Sequence, residues 1–267
     1  MEQENDVQAK RDLMYGELDL GSLTIFSGSF INYGYWGEIA PHRDITVEER
    51  TASQAELYRQ VVSRLSTPPG VQLLELGCGI GVGTALVARE FAAYVSGLDR
   101  SKAQLARAAE TNAAALEKLS GRLGFHEGSV TEIPFPADSF DGVYSVEALQ
   151  HVDDLAAVAR EARRVLRPGG SFAAATFFAP DDAGETPVAD LIETVATGVD
   201  VVRPVGAFAG DLSAAGFAKV EVESIGEHVW RQFDRWVAQT EYRDSWGRNW
   251  LRCYENGWID YYILTAS

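Results

Sequence analysis

Glycine occupies every second position from Gly77 to Gly83, directly after the apolar run Leu73-Leu74-Glu75-Leu76 and before an amphipathic segment that continues to Phe91. An apolar run, a glycine-dense turn and an amphipathic stretch read as strand, tight loop and helix. Glycine reaches positive φ and lets a ligand approach the backbone closely. Free N–H groups at the start of the following helix favour an anionic group. The stretch therefore constrains the chain to an α/β fold with a nucleotide-like ligand at this loop.

The dinucleotide fingerprint demands a third Gly or Ala at a fixed offset. Counted from Gly77 that position holds Val82, from Gly79 it holds Thr84, and from Gly81 it holds Leu86. No frame fits, which disfavours NAD and FAD. No Lys-Ser or Lys-Thr follows the glycines, so a P-loop is excluded.

Strands and helices alternate at short spacing beyond this point. Thr46-Val47-Glu48-Glu49 has the form of a capping box, and Ala55, Tyr58, Val61, Val62 and Leu65 mark a helical face that Pro68-Pro69-Gly70 stops. The pattern predicts strands over 71–76, 94–99, 123–127, 140–146 and 171–178, and helices over 84–91, from Ser101 to about Leu116, and from Asp153 to Leu166. Arg167-Pro168-Gly169-Gly170 is expected to end the last of these helices. This alternation implies a parallel sheet with helices on both faces. Residues 179–207 read as an irregular insertion. A short helix is expected over 212–217 and a strand over 218–225. Residues 229–257 are expected to be helical, and 261–266 to form a last strand.

Asp99 ends the second predicted strand, where a carboxylate accepts hydrogen bonds from ribose hydroxyls in nucleotide-binding α/β folds. A helix cap is the structural alternative. Glu75 precedes the loop as a buried carboxylate, able to accept from loop N–H groups or a ligand ammonium, or to serve the fold alone. Gly128-Ser129-Val130 follows the third strand and offers a backbone N–H and a hydroxyl to an adenine edge; an ordinary surface turn is the alternative.

An acidic residue followed by Gly-x-Gly-x-Gly resembles the first motif of the class I S-adenosylmethionine (SAM) methyltransferases. The stretches 138–152 and 163–170 resemble their later motifs, so the resemblance covers roughly residues 45–178. Asn32-Tyr33-Gly34-Tyr35-Trp36, the Gly128-Ser129 adenine loop and the aromatic C-terminal segment are similar to the erythromycin-type O-methyltransferases of bacterial natural-product biosynthesis. That resemblance implies a Rossmann-like, mostly parallel seven-stranded sheet with an aromatic, helical lid. Residues 1–45 would form an N-terminal cap and 46–267 the methyltransferase domain, with 179–207 and 229–257 as acceptor-side insertions. It implies SAM as donor and S-adenosylhomocysteine (SAH) as product. The implied cofactor residues are Tyr33, closing over the carboxylate end, and Glu75, Gly77, Gly79, Gly81, Asp99, Arg100, Ser129, Val130, Ser145 and Gln150.

The methyl group of SAM sits on a sulfonium, so the protein has to align a nucleophile, exclude water and remove a proton when the acceptor is a hydroxyl. His151 follows the fourth strand on the edge where such folds bind ligands, and is the candidate base, with Asp153 or Asp154 as orienter. Sugar-modifying relatives can carry two histidines here; Gln150 stands in the first of those places. Trp230, Phe233, Trp236, Trp246 and Trp250, with Trp36 from the N-terminal segment, offer an apolar wall suited to a bulky acceptor. Core packing is the alternative for each.

The net charge of −16 argues against nucleic acid and anionic membranes as partners. The two cysteines allow no disulfide framework and no Cys-rich zinc site. His42, His126, His151 and His228 form no pair with metal spacing, so no metal is expected. The N-terminus shows no signal peptide and no run reaches membrane-spanning length, which with the cysteine usage points to a cytoplasmic setting. The apolar stretch 13–40 can pack on its own domain or on a second copy. The leading reading is O-methylation of a bulky natural product such as a polyketide or glycoside. C- or N-methylation of a terpenoid or alkaloid-like acceptor is the alternative, and a SAM-binding cyclase or binding protein is a reading of another class.

Overall fold

The computed structural model describes residues 7, 9–11, 13–14, 21, 23–39, 43–181, 183 and 186–267. His42 lies outside them. Seven strands form one sheet in the order β3-β2-β1-β4-β5-β7-β6. They are β1 (Gln72–Leu76), β2 (Tyr94–Asp99), β3 (Leu123–Glu127), β4 (Phe140–Val146), β5 (Leu166–Phe178), β6 (Val220–Ser224) and β7 (Asp260–Ala266). Strands β1 to β5 pair in parallel, and β7 runs antiparallel between β5 and β6. The strand order reverses between β1 and β4, and the crevice beyond their carboxyl ends is where open α/β sheets hold ligands.

The helices with described limits that accompany the sheet are α1 (Val47–Val62), α2 (Val82–Glu90), α3 (Lys102–Thr111), α4 (Ala113–Lys118), α5 (Leu155–Val165), α6 (Val188–Leu191), α7 (Glu193–Ala196), α8 (Val205–Ala214), α9 (Trp230–Ala238) and α10 (Asn249–Glu255). Alternation along the strands divides the core. Leu73 and Tyr144 face one layer with Val61, Trp230 and Trp250, while Leu74 and Val143 face the other with Val158, Phe172 and Leu212. Both capping-box bonds of α1 form, with the Glu49 N–H donating to Thr46 Oγ1 at 3.2 Å and the Thr46 N–H to Glu49 Oε2 at 3.0 Å.

Four expectations need correction. The helix expected from Ser101 to Leu116 is broken at Asn112, whose side-chain amide donates to the Ile80 carbonyl in the glycine loop at 2.9 Å as well as to Ala108. The helix expected over 212–217 is α8, which starts at Val205; the run Val205-Gly206-Ala207-Phe208-Ala209-Gly210 has too little polar alternation to display a helical period. Pro168-Gly169-Gly170 sits inside β5, which begins directly at the end of α5. Finally, 229–257 is two helices with a turn and a short 3₁₀ segment (Trp246–Arg248) between them.

The N-terminal segment is fastened over the sheet edge by one buried cation. Arg50 of α1, with no exposed surface, donates to the carbonyls of Ile25 (3.1 Å), Tyr33 (3.0 Å) and Asn32 (2.6 Å). Its guanidinium also lies 5.4 Å from the Trp36 ring and 5.5 Å from the Phe233 ring, within cation–π range. Burial lowers its pKa to about 9, and the carbonyls and rings together take the place of water around the charge.

Candidate active site

The glycine loop closes the carboxyl end of β1. Gly77, Gly79 and Gly81 all have positive φ, at 74°, 52° and 70°. A Cβ on Gly77 would stand 2.3 Å from the Ala148 Cβ, and one on Gly81 would stand 2.3 Å from the Phe125 ring. A Cβ on Gly79 would meet no protein atom within 4 Å. Gly77 and Gly81 are therefore fixed by packing, whereas Gly79 faces open space. That space is a cavity of about 390 Å³, walled by the glycine loop and by Asp99, Ser129, Val130 and His151.

Asp99 anchors the cavity. Its Oδ2 accepts from the Gly79 N–H at 2.9 Å and its Oδ1 from the Ser101 N–H at 2.8 Å. Burial raises its pKa, and these backbone N–H groups oppose the rise. Arg100 and Ser101 continue the wall, and Phe30 and Ile31 of the fastened N-terminal segment close another side. Ser129 turns its hydroxyl toward Thr131 Oγ1 at 2.7 Å, and both residues line the cavity.

Two residues expected at the cofactor stand behind it. Glu75 is fully buried and accepts from the hydroxyls of Thr84 (2.6 Å), Tyr58 (3.0 Å) and Tyr144 (3.0 Å). It does not line the cavity, and these three bonds tie β1 to α1, α2 and β4. Desolvation raises its pKa to about 7 despite the three donors. The buried Ser145 hydroxyl donates to the Leu76 carbonyl at 2.9 Å, joining β4 to the end of β1.

A second cavity, of about 230 Å³, is walled mainly by Ile25, Phe26, Phe233, Trp246 and Trp250. Tyr33 and Gln150 line this cavity rather than the first. The Tyr33 ring lies in an aromatic cluster, with centroids 4.8 Å from Phe233 and 5.1 Å from Trp230. Among the expected acceptor-side aromatics, Phe233, Trp246 and Trp250 face the cavity. Trp230 stacks on Trp250 inside the core, and Trp36 and Trp236 pack together with Ile45; none of these three lines either cavity. Trp230 and Trp236 on α9 meet the core and the N-terminal segment that carries Trp36, so packing consumes all three.

Glu147, which sequence reasoning passed over, lines both cavities. It follows β4 with φ of 49°, a left-handed conformation that costs a non-glycine residue energy and that clusters at functional sites. Its Oε1 accepts from the Tyr33 N–H and from the Tyr261 hydroxyl, each at 2.6 Å. Burial lifts its pKa to about 8, against the pull of those two donors and of Arg50. The available signal was an acidic residue leaving an otherwise apolar strand.

The surroundings of His151 also differ from expectation. Asp154 caps α5, accepting from the Ala157 N–H at 2.8 Å, and its exposed side chain does not orient the imidazole. The carboxylate beside His151 is Asp200, whose Oδ1 lies 3.0 Å from Nδ1. The Val199 carbonyl lies 3.1 Å from the same nitrogen, and Gln150 Nε2 lies 3.2 Å from His151 Nε2. Asp200 comes from the distant insertion, so no local spacing could reveal it. Asp153 instead meets Arg11, which also holds the carbonyls of Gly198 and Val199.

A family model described as a methyltransferase domain matches residues 74–174. The 27-O-demethylrifamycin SV methyltransferase of Amycolatopsis mediterranei is 31% identical over 203 residues, covering 76% of this chain and 71% of that protein. This chain is a SAM-dependent methyltransferase. The O-methyltransferase resE of Aspergillus sclerotiorum is 33% identical to the methyltransferase over 153 residues, 57% of this chain and 55% of that one. In fold, the methyltransferase superposes on the geranyl diphosphate C-methyltransferase of Streptomyces coelicolor A3(2), solved with Mg2+, geranyl diphosphate and SAH. The TM-score is 0.84 at 14% identity, over 98% of this chain and 97% of that chain.

The residues present fit the donor. The first cavity combines a glycine that leaves space for a ligand, a carboxylate held at the end of β2 and a polar turn after β3. When bound, SAM supplies an electrophilic methyl group. Among the described residues, no helix is long and apolar enough to cross a membrane, and no cluster of three or more His, Cys, Asp or Glu side chains is placed to hold a metal ion.

Proposed function

We propose that this methyltransferase methylates a hydroxyl of a bulky, apolar and uncharged small molecule of the natural-product class, held in the second cavity. The observation that carries this reading is the position of Glu147, a buried carboxyl bordering both the donor cavity and the apolar cavity. A hydroxyl at that border can give its proton to Glu147 as the oxygen becomes a nucleophile. Asp99, Arg100 and the turn at Ser129 would hold the donor. The segment fastened by Arg50 would keep water from the junction, because Phe30 and Ile31 close the first cavity while Ile25, Phe26 and Ile31 line the second.

We assign the base role to Glu147 in place of His151. Both imidazole nitrogens lie within hydrogen-bond distance of protein groups, and His151 borders only the donor cavity. Its role in this account is to hold the Gln150 side chain, the Val199 carbonyl and the Asp200 carboxylate in place. Among the described residues no Lys or Arg lines the second cavity, which favours a neutral acceptor over a diphosphate or carboxylate. The relatives named for O-methylation support oxygen as the nucleophile.

The test is transfer from methyl-labelled SAM to a panel of hydroxylated polyketide aglycones, with product NMR to identify the methylated atom. Transfer to oxygen is expected. Glu147→Gln should lower kcat about a hundredfold, within the range of general-base contributions, while SAH affinity stays within about threefold. Transfer only to carbon or nitrogen, or a larger loss with His151→Asn than with Glu147→Gln, would contradict the proposal.

A further inference from the structure

The two cavities share two wall residues among the described residues, Ile31 and Glu147. Ile31 belongs to the N-terminal segment and Glu147 follows β4, so they reach the common boundary from separate parts of the chain. A group moving from the donor cavity to the apolar cavity crosses the boundary where these two side chains stand. Glu147 gives that boundary a carboxyl, which takes the proton in the reading above. Ile31 gives it a half-buried, wholly apolar side chain that can neither hydrogen-bond a ligand nor move a proton.

Ile31 stands on a fixed backbone. The Phe30 carbonyl before it accepts from Gln54 Nε2, and the Asn32 carbonyl after it accepts from Arg50 at 2.6 Å. The Phe30 ring packs on Tyr58, with centroids 5.8 Å apart. Arg50, Gln54 and Tyr58 follow one another at intervals of four residues on α1, so one face of one helix holds the chain on both sides of Ile31. The Tyr33 N–H donates to Glu147 Oε1 at 2.6 Å, which ties the apolar side of the boundary to the carboxyl side. Ile31 is also β-branched, and such a side chain has few χ1 positions open to it. Neither its backbone nor its side chain can retreat far from a group that crosses the boundary.

A stiff apolar wall opposite a fixed carboxyl discriminates by size. Excluding one extra methylene from an apolar site is worth about ten- to two-hundredfold in discrimination. We propose that Ile31 limits the size of the alkyl group that can be transferred, and so restricts the donor to methyl. The inference rests on the reading of the second cavity as the place of the acceptor. In the transfer, Glu147 takes the hydroxyl proton, the acceptor oxygen bonds the alkyl carbon, and the electron pair of the broken S–C bond remains on sulfur. Ile31 is the specificity-determining residue for that alkyl carbon and what it carries.

The test is calorimetric titration of SAH, SAM and S-adenosyl-L-ethionine into the unaltered protein, Ile31→Ala and Ile31→Val, with no acceptor present. The ethyl donor should bind the unaltered protein about tenfold weaker than SAM does. Ile31→Ala should bring the two donors within about threefold of each other, and Ile31→Val, which keeps the branch and loses one methyl group, should give an intermediate ratio. SAH has no transferable group on its sulfur and serves as the reference; its affinity should change by less than the ratio does. A residue needed only for packing would move all three ligands together. Equal binding of the ethyl and methyl donors by the unaltered protein, an unchanged ratio in both variants, or a change in SAH affinity as large as the change in ratio would overturn the size limit. If SAH binds the unaltered protein in those cases, the O-methylation reading stands on its own transfer assay; if SAH fails to bind it, the donor cavity falls and takes the size limit with it.

Discussion

The Tyr261 hydroxyl donates to Glu147 Oε1 at 2.6 Å, linking the last strand of the sheet to the carboxyl group that separates the two cavities. This bond favours the charged form of Glu147 and works against the burial that lifts its pKa to about 8. A base acts only when deprotonated, so the rate of methyl transfer should rise with pH through about 8. Tyr261→Phe removes the donor, raises the pKa further and moves that rise to higher pH. Losing one hydrogen bond to a charged group corresponds to roughly one pKa unit or more, so the rate near neutral pH should fall about tenfold. A pH–rate profile identical to that of the unaltered protein would refute the link.

The glycine loop separates binding from folding. Gly79→Ala forces an unfavourable φ but meets no protein atom, and Gly79 lines the donor cavity. It should lower SAH affinity at least about tenfold while stability falls by only about 1 kcal/mol. Gly81→Ala would drive a methyl group to 2.3 Å from the Phe125 ring and should cost several-fold more stability than Gly79→Ala. Parallel calorimetry and thermal denaturation of the two variants measure the contrast.

Glu75 makes stability depend on pH in a predictable direction. Burial raises its pKa from 4.5 to about 7 in the folded protein, so the folded state binds this proton more tightly than the unfolded chain does. Stability is therefore unpenalised below about pH 4.5, falls as pH rises toward 7, and is level above it as far as this group is concerned. The penalty at pH 8 is about 3 kcal/mol by linkage. Glu75→Gln should flatten this part of the curve of Tm against pH. A variant whose Tm falls over that interval as steeply as the parent's would contradict the assignment.

The parallel half of the sheet was legible because buried strands and amphipathic helices leave different periods in sequence. β2, β3 and β4 have the expected limits, and β1 differs by a single residue at Val71. The loop glycines, Asp99, Ser129 and Val130 were legible as neighbours, since each lies at or just after a strand end that topology brings to one edge, and all of them line the first cavity. The acceptor side was not. Thr194 and Asp200 reach the second cavity from residues 179–207, whose local pattern shows neither a helical nor a strand period. The aromatic residues of α9 divide between core and cavity by how the helix is rotated, which composition does not encode. Glu75 and Ser145 sat in the right motifs, but hydroxyl donors and a carbonyl acceptor brought together only by the fold determine what they do.

The account rests on the donor cavity, and titration of SAH into the purified protein, alongside Asp99→Ala, tests it most directly. One SAH per chain should bind the unaltered protein, and Asp99→Ala should weaken that binding at least about tenfold, because it removes the carboxylate that holds Gly79 and faces the cavity. Absence of binding heat from well-folded unaltered protein, or equal affinity in the variant, would contradict the account.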